Sequence, residues 1–465
     1  MIRLLTLGAL ALLILRLLLT GNAPAAAPGG GREIHLEMSV WGMPWENDLY
    51  TKVYIPEFER QNPGFRVRFH HFEDYNSRIL LSHAGGIAPD VIRLNIESTM
   101  GWFRRGLNLP LDRFIDGPDG VDRSDFIPIL WESLKYNGET YGIPQDINIQ
   151  GLYFNKDLFD EAGIFYPDST WTWKQLHDAA KKLTKDRDGD GHADVVGIDF
   201  AWGAATFRPF VYQAGGKFWS EDGERSTLDS PEAAEALSFY RSLMQSYTLT
   251  RTNSQRGGLG PDKFFEAGKV AMYIDGSWRT PSLKKNAPRL RFGVAPVPRG
   301  KHASSVSTSC YWALSRDTKH PEAAWKLAKF LSSKEALEKY WQFLWVAPPA
   351  RWSALRSPKF REVTGAEGKI PGIDTAEEFE EKCGWIPQVL EQGWTTVEFC
   401  NPYSDRMMLH LQEAVDRALL EKVDPAVALR TAAEKINTEI AKMKRSEAIA
   451  RGETPPGEAP EGEAQ

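Results

Sequence analysis

The segment Ile34-His35-Leu36-Glu37-Met38-Ser39-Val40-Trp41 decides the class of fold, because it opens an alternation of strands and helices. Its apolar residues alternate with polar ones, which predicts a β-strand with one buried face. A helix is predicted over 48–61, and a second alternating strand over 65–70. A helix over 75–84 and a short strand over 90–94 continue the pattern. Strands that alternate with helices predict an α/β fold with a parallel sheet.

The chain is long enough for two domains, since it has 465 residues and a single core rarely grows beyond about 250–300 residues. The Asn137-Gly138 pair predicts a tight hairpin, and a second αβ unit is predicted to begin near residue 145. Thr172 is a suitable N-cap for a helix over 173–183. Further helices are predicted over 231–245, 321–331, 334–340, 405–420 and 425–444. The tail 446–465 is rich in Glu, Pro, Gly and Ala, which predicts disorder.

The amino-acid composition and net charge limit the kinds of molecule that this protein is expected to bind. Hydrophobic residues make up 42% and charged residues 25% of the chain, which is typical of a globular protein. The formal net charge of −6 gives no basic surface for nucleic acid, so no nucleic-acid partner is predicted. Sixteen tryptophans exceed what most soluble chains carry; we expect most of them in the core, with a few free to stack on flat apolar ligand faces.

The N-terminus has the layout of a secretory signal peptide. Arg3 supplies a positive n-region, an apolar run follows over 4–15, and Ala23-Pro24-Ala25-Ala26-Ala27 offers Ala-x-Ala cleavage sites. We predict a signal peptide over 1–27 that is removed, which gives a periplasmic or otherwise extracytoplasmic protein. The alternative is an uncleaved membrane anchor, because Leu17 to Leu19 extend the apolar run, although a bilayer span needs about 20 residues.

Several short segments, in a fixed order across the chain, resemble a known family. They include Ala88-Pro89-Asp90-Val91, Tyr153-Phe154-Asn155-Lys156-Asp157-Leu158-Phe159-Asp160-Glu161-Ala162-Gly163, Trp171-Thr172-Trp173, Phe265-Glu266-Ala267-Gly268-Lys269-Val270-Ala271-Met272 and Gly276-Ser277-Trp278. With these segments the chain resembles the family-1 extracellular solute-binding proteins, relatives of the maltose-binding protein. Each segment alone is weak, and their order and spacing carry the resemblance.

The resemblance implies a two-lobe periplasmic-binding-protein fold of type II, with a ligand cleft between two αβ lobes that close about a hinge. It implies a carbohydrate ligand, the permease membrane subunits of an ABC importer as partners, a monomer, and no catalytic activity. Because the chain of such proteins crosses between the lobes more than once, we expect lobe one over 33–144 plus 275–335. Lobe two is expected over 145–274 plus 336–445.

Aromatic and polar residues at predicted strand ends and in loops are the candidates for ligand binding. Ligands of open α/β sheets bind beyond the carboxyl ends of strands, and sugars offer flat C–H faces to aromatic rings and hydroxyls to carboxylates and amides. The resemblance favours Trp278 most and Trp202 next; core packing is the alternative for each tryptophan. The predicted ligand-binding residues are Trp41, Glu46, Asn47, Asn95, Asp146, Asn148, Trp202, Trp278, Trp312, Trp345 and Arg351. Asp90 is expected to orient the backbone instead.

An acidic loop in the second unit has the spacing of a calcium site. Asp186, Asp188, Asp190 and Asp194 occupy loop positions 1, 3, 5 and 9, and the carbonyl of His192 falls at position 7. This pattern predicts a structural Ca²⁺, a cation that takes six to eight oxygen ligands. Position 12 is Gly197 instead of the usual Glu, so another group would have to complete the shell. A solvated acidic turn is the alternative.

The remaining chemistry of the sequence points away from catalysis. No G-x-S-x-G, H-E-x-x-H, P-loop or dinucleotide motif is present, and nothing selects a carboxylate pair. Two alternatives stay open: a secreted carbohydrate-active enzyme with a carboxylate pair, and a binder of the same fold for a non-sugar solute. Cys383 and Cys400 are close enough in sequence to form a disulfide, whereas Cys310 is expected to be a buried thiol.

Overall fold

Two β-sheets organise the part of the chain that the computed structural model describes: residues 33–42, 46–189, 193–200, 204–247, 260–344, 347–362, 364–365, 368–369, 373, 375–397, 401–450 and 452–453. The strands are β1 (Ile34–Val40), β2 (Phe65–His71), β3 (Val91–Asn95), β4 (Lys135–Tyr136), β5 (Glu139–Thr140), β6 (Ile143–Pro144), β7 (Asn148–Asn155), β8 (Asp199–Phe200), β9 (Met272–Gly276), β10 (Phe292–Pro296), β11 (Ser305–Thr308), β12 (Cys310–Leu314), β13 (Thr364–Gly365), β14 (Gly368–Lys369) and β15 (Thr395–Thr396).

The helices lie between and around these strands. They are α1 (Ile55–Gln61), α2 (Tyr75–Ala84), α3 (Ile96–Arg104), α4 (Asp112–Ile115), α5 (Pro128–Glu132), α6 (Lys156–Ala162), α7 (Trp173–Leu183), α8 (Ala204–Gln213), α9 (Pro231–Tyr247), α10 (Pro261–Glu266), α11 (Arg279–Asn286), α12 (Pro321–Leu331), α13 (Lys334–Leu344), α14 (Trp352–Leu355), α15 (Pro358–Arg361), α16 (Ala376–Cys383), α17 (Trp385–Glu391), α18 (Ser404–Leu420) and α19 (Pro425–Ala450). A π-helical turn over Leu49–Tyr54 leads into α1, and a 3₁₀ turn spans Arg123–Asp125.

The first sheet has the strand order β2-β1-β3-β12-β6. Strand β1 runs parallel to β2 and β3, as the alternation of strands and helices predicts, whereas β12 is antiparallel to β3. Leu36, Met38 and Val40 of β1 are buried, because alternate side chains of a strand share one face. Helix α12 covers β1, β3 and β12, and this packing builds the core of lobe one.

The second sheet has the order β15-β11-β7-β9-β8, with β10 also paired to β7. Strand β7 is its centre, and all eight residues of β7 are buried, as expected for a strand covered on both faces. Leu152 and Phe154 belong to the core beneath α7, α8, α9, α18 and α19, whereas Tyr153 points to the opposite face. Helices α16 and α17 pack on that side against β10.

The boundaries of the two lobes differ from the predicted ones. Residues 275–308 belong to lobe two, because β10 and β11 pair with β7. Residues 336–361 belong to lobe one, where the hydroxyl of Tyr54 donates to the carbonyl of Ala336. Lobe one therefore comprises about 33–144 and 309–361, and lobe two about 148–308 and 376–450. The order of apolar segments could not reveal this exchange, because helices of both lobes have the same amphipathic pattern.

Local predictions hold in several places and fail at the C-terminus. Asn137 and Gly138 both have positive φ, 50° and 83°, in the predicted hairpin turn between β4 and β5. Thr172 caps α7 within a full capping box with Gln175. Helix α19, however, continues to Ala450, so the predicted disorder from residue 446 is wrong for 446–450. Leu429, Ile436 and Ile440 anchor this helix in lobe two.

A contact away from the chain crossings joins the lobes. Arg104, at the end of α3 in lobe one, lies 2.5 Å from a carboxylate oxygen of Glu447 in α19. The guanidinium also lies over the ring of Tyr403, 5.9 Å from its centroid. Both members of the ion pair are partly exposed, so the pair contributes a modest free energy to holding the lobes together.

The predicted signal segment 1–27 lies outside the described residues. Within the described ranges, no helix has both the length and the apolar character required to cross a membrane. Cys310 and Cys383 are buried free thiols, which agrees with the expectation for Cys310. Cys400 is not among the described residues, and Cys383 is not in a disulfide.

Candidate functional site

Two adjacent chain crossings mark the boundary between the lobes. The chain enters lobe two at Asn148, the first residue of β7, and returns to lobe one between Thr308 of β11 and Cys310 of β12. Asn148 is the antiparallel partner of Thr308. The amide of Gln145 donates to the carbonyl of Cys310 at 2.9 Å. The two crossings therefore form one short two-stranded ribbon, which is the geometry of a hinge.

A row of amide and hydroxyl groups lies along this ribbon. The Thr308 hydroxyl donates to Oδ1 of Asn95 at 3.3 Å, at the carboxyl end of β3. On the other crossing, the hydroxyl of Ser277 donates to Oδ1 of Asn148 at 3.3 Å. The structure thus brings together two predicted residues, Asn95 and Asn148, at the edge where strands of both sheets end. These groups are neutral and offer both donors and acceptors.

Trp278 stands at the lobe-two side of this edge. It follows β9 and precedes α11, and its ring is partly exposed. The ring lies so close to Gly276 that a Cβ atom there would come within 2.1 Å of it. Gly276 is therefore required for the ring position. Asp275 fixes the turn, because one oxygen accepts from the Gly276 amide at 2.7 Å and the other accepts from Nε of Arg279 at 2.6 Å.

On the lobe-one side of the boundary, a buried arginine donates hydrogen bonds to several surrounding groups. Arg93 lies in β3 with 3% of its surface exposed. Its Nη1 donates to the Trp41 carbonyl at 3.1 Å and to Glu46 at 3.3 Å. Its Nη2 donates to the Tyr340 hydroxyl at 2.6 Å and lies 3.5 Å from a carboxylate oxygen of Asp146. The guanidinium also lies 5.1 Å from the ring centroid of Trp41, which is partly exposed.

Asp146 is the most deeply buried carboxylate of this group, with no exposed surface. Burial raises the pKa of its carboxyl to about 6, although Arg93 and the backbone amide of Cys310 both oppose the rise. The Cys310 amide donates to Oδ1 of Asp146 at 2.8 Å. The side chain therefore holds the hinge ribbon to β12. A residue expected to contact ligand acts here as a support of the ribbon.

Four more of the predicted ligand-binding residues, and Asp90, which was expected to orient the backbone, can be located or excluded from description as follows. Glu46 is buried beside Arg93, and Asn47 follows it with its side chain partly buried. Trp202 and Trp345 lie outside the described residues. Asp90 orients the backbone as expected, since its carboxylate accepts from the Glu37 amide at 2.8 Å.

Two predictions require correction. Trp312 has no exposed surface, and its ring meets Tyr50 edge to face at 6.0 Å, so it is a core residue of β12. Arg351 also has a structural role. Its Nη1 lies 2.9 Å from a carboxylate oxygen of Asp125, and its guanidinium lies 3.9 Å from the centroid of the Phe126 ring. Alternation along β12 alone could not tell which of its faces lies in the core, because both faces of the strand are buried.

Sequence reasoning missed Arg93, Gln145 and Tyr340. The available signal was a charged residue in the middle of the apolar segment Val91–Leu94. A charge in a buried strand needs partners, since burying an isolated ion is costly. Tyr340 could not be paired with Arg93 from the sequence, because nearly 250 residues separate them.

The acidic loop of lobe two is partly described. Asp186, Asp188 and Asp194 each place a carboxylate oxygen within 4.8 Å of the others, and all three are exposed. The loop is closed by backbone pairing of Lys185 with Val195. Asp190 and His192, the other predicted ligands, lie outside the described residues. The three carboxylates fit the donor chemistry of a hard cation.

Two αβ lobes, a two-stranded hinge between them, and aromatic and amide side chains from both lobes at that boundary define a two-lobed binding protein. The sequence profile of the bacterial extracellular solute-binding proteins matches residues 45–338. The chain belongs to this family. The predicted family and the two-lobe α/β fold are both confirmed.

Individual relatives agree with this assignment. The chain is 26% identical over 299 residues to an arabinooligosaccharide-binding protein of Halalkalibacterium halodurans, across 62% of this chain and 64% of the relative. An ABC substrate-binding protein of Listeria monocytogenes in complex with cycloalternan superposes with a TM-score of 0.73 at 23% identity, covering 88% of this chain and 99% of that chain. The sugar-binding protein MalE of Xanthomonas citri gives a TM-score of 0.73 at 19% identity, covering 90% and 100%. The structural similarities establish the fold.

Proposed function

We propose that this protein captures a neutral sugar or oligosaccharide in the cleft between its lobes and delivers it to an ABC importer. The observation that carries the proposal is a pair of partly exposed tryptophans: Trp278 on lobe two, next to Ser277 of the amide and hydroxyl row, and Trp41 on lobe one, against Arg93. Aromatic faces accept the C–H faces of a pyranose, and amides and hydroxyls exchange hydrogen bonds with its hydroxyls.

Charge in the site favours a ligand without a negative charge. Arg93 is the cation of the cluster, and two carboxylates, Glu46 and Asp146, share it. An anionic group brought beside them would meet like charge in a site of low dielectric. The relatives point to the same ligand class, since their names and complexes include arabinooligosaccharides, cycloalternan and maltotriose.

A thermal-shift screen followed by calorimetric titration tests this function. The panel contains neutral oligosaccharides, matched uronic-acid oligosaccharides, free phosphate and short peptides. A neutral saccharide should raise the melting temperature, because a ligand that binds the folded form stabilises it, and its uronic counterpart should bind at least tenfold more weakly. Stabilisation by a peptide or by phosphate instead of any sugar would contradict the proposal.

Capture without turnover is the second part of the proposal. The family is one of binding proteins, and the carboxylates at the boundary are engaged with Arg93 and the hinge backbone. Incubating the protein with the best ligand at stoichiometric and catalytic ratios, followed by chromatography of the saccharide, measures turnover. Shorter products that accumulate with time would identify a carbohydrate-active enzyme.

Location and partners follow from the same function. We propose that the segment 1–27 directs export and is removed, that the mature protein is a monomer, and that its ligand-bound form docks on the permease membrane subunits. N-terminal sequencing of the mature protein should begin near Ala26 or Pro28. A chain that begins at Met1 and fractionates with membranes would identify an anchor.

The acidic loop supports a separate proposal, a structural Ca²⁺ held by Asp186, Asp188, Asp190, Asp194 and the carbonyl of His192. The close approach of three of these carboxylates supports it, since they repel one another unless a cation lies between them. Adding Ca²⁺ to chelator-treated protein should raise the melting temperature, and Mg²⁺ at equal concentration should do so less because it requires a smaller octahedral site. Identical melting curves would contradict it.

A further inference from the structure

The guanidinium of Arg93 in lobe one has an acceptor for each of its donors. An arginine side chain carries five N–H donors, and five acceptors surround this one. Nε donates to Gln145 at 3.0 Å, and the two terminal nitrogens reach the remaining four. These four are the Trp41 carbonyl, Glu46, Asp146 and the Tyr340 hydroxyl.

Full occupancy of the donors rules out a direct role in ligand binding. A ligand hydroxyl or carboxylate would have to displace one of the five acceptors, and a buried polar group left without its partner is energetically unfavourable. Arg93 is also almost completely buried, beneath the partly exposed ring of Trp41. Its position therefore suits it to holding other residues in place.

The five acceptors come from separate segments that the guanidinium joins. Trp41 follows β1, Glu46 precedes the π-helical turn, and Gln145 and Asp146 form the first crossing. Tyr340 comes from α13, in the part of lobe one that the chain completes after its return from lobe two. The rigid fork of arginine fixes all of these segments with one planar group, which the single ammonium of lysine cannot do.

Trp41 is held in two ways at once. Its carbonyl accepts from Nη1, and its ring lies over the same guanidinium at 5.1 Å. Glu46 closes the arrangement from the side of Gly42, where an added Cβ would come within 2.6 Å of its carboxylate. Gly42 has a φ of 137°, a backbone conformation that glycine adopts readily. A side chain at position 42 would therefore displace the carboxylate of Glu46, which accepts from Arg93.

We propose that Arg93 is the positioning residue of the lobe-one wall, which acts on ligand affinity through the orientation of Trp41 and makes no contact with the ligand. The proposal rests on the proposed function for its effect on affinity. Its structural part, the orientation of the Trp41 ring, stands independently of any ligand. The two parts are therefore tested separately.

The ligand-independent test uses the full mature protein labelled with 5-fluorotryptophan and observed by ¹⁹F NMR. The Trp41 and Trp131 resonances are assigned with Trp41→Phe and Trp131→Phe. Arg93→Lys should shift or broaden the Trp41 resonance and leave Trp131 unchanged. The matched control is Arg123→Lys, because Arg123 also covers a tryptophan ring, that of Trp131 at 5.5 Å. It should affect Trp131 alone.

The affinity test is a double-mutant cycle with the best saccharide of the panel. Arg93→Lys should weaken binding about tenfold in the otherwise unaltered protein and less than twofold in a Trp41→Ala background. A residue that only supports the fold would weaken binding equally in both backgrounds. If Arg93→Lys does not fold, Tyr340→Phe removes one acceptor at 2.6 Å and should give the same pattern with about a threefold loss.

Each outcome is decisive. An unchanged Trp41 resonance in the folded variant, or an equal loss of affinity in both backgrounds, overturns the proposal. A shifted Trp41 resonance in a protein that binds none of the saccharides supports the positioning of Trp41 and contradicts the proposed function alone.

Discussion

Replacing Asp146 by Asn should change how stability depends on pH, and the structure sets the sign. Burial raises the pKa of Asp146 from 3.8 to about 6 in the folded protein, whereas the unfolded chain keeps the ordinary value. Between these two values the folded state holds a proton that the unfolded state has released. The free energy of unfolding therefore falls as pH rises through this window, and the contribution is fully present only below the unfolded pKa.

The size follows from the same two values. Each pH unit well within the window is worth about 1.4 kcal/mol, so Asp146 lowers the free energy of unfolding by on the order of 2 kcal/mol between pH 4 and pH 6.5. Asp146→Asn keeps an acceptor for the Cys310 amide and does not titrate. The unaltered protein should thus be most favoured over the variant near pH 4 and lose that advantage by pH 6.5.

Urea unfolding of both proteins at half-unit pH steps from 4 to 7, without ligand, measures this difference. Other titrating groups are common to both proteins and cancel in the subtraction. Parallel stability curves would show that Asp146 does not titrate in this range. A difference of opposite sign, with the unaltered protein gaining on the variant as pH rises, would show that attraction to Arg93 outweighs burial and would refute the reasoning.

Three further changes have defined outcomes. Trp278→Ala should weaken binding of the best saccharide by about 2 kcal/mol, roughly thirtyfold, in a calorimetric titration of the folded variant; unchanged affinity in a destabilised protein would make it a core residue. Asp186→Asn should reduce the Ca²⁺-dependent rise in melting temperature, and an unaltered rise would remove Asp186 from the ligands. Arg104→Glu should widen the cleft in solution scattering and weaken binding by up to about fivefold, since a partly exposed pair is worth about 0.2–1 kcal/mol. Adding Glu447→Arg should restore both quantities, and failure to restore them would separate this ion pair from closure.

Many strands, turns and helix ends could be predicted from the sequence, because they are determined by residues that are neighbours along the chain. The alternation in β1, the Asn137-Gly138 turn and the Thr172 capping box were all predictable for this reason. The lobe to which 275–308 belongs depends on pairing with β7, more than 100 residues earlier in the chain. Single-sequence patterns do not contain that pairing, so the lobe boundaries were wrong.

The sequence predicted which types of residue lie at the boundary between the lobes, but not what each of them does there. Strand ends selected Trp41, Asn95 and Asn148, which the structure places along the boundary. The burial of Trp312 and the support role of Asp146 depend on which neighbours fill the space around them. Arg93 was visible in the sequence as a charge within an apolar strand, and only its five partners reveal its role.

The path of the chain through the lobes has a consequence for biosynthesis. Lobe one needs α12 and α13, which follow residue 320, and lobe two needs α18 and α19, which end at Ala450. An emerging polypeptide therefore cannot complete lobe one before Arg361 of α15, and cannot complete lobe two until nearly all of the chain has been made. Contacts between such distant residues also form slowly. A chain built in this order remains threadable through a narrow secretion channel for most of its synthesis. A premature stop before α18 would leave uncovered the faces of α8 and α9 on which α18 and α19 pack.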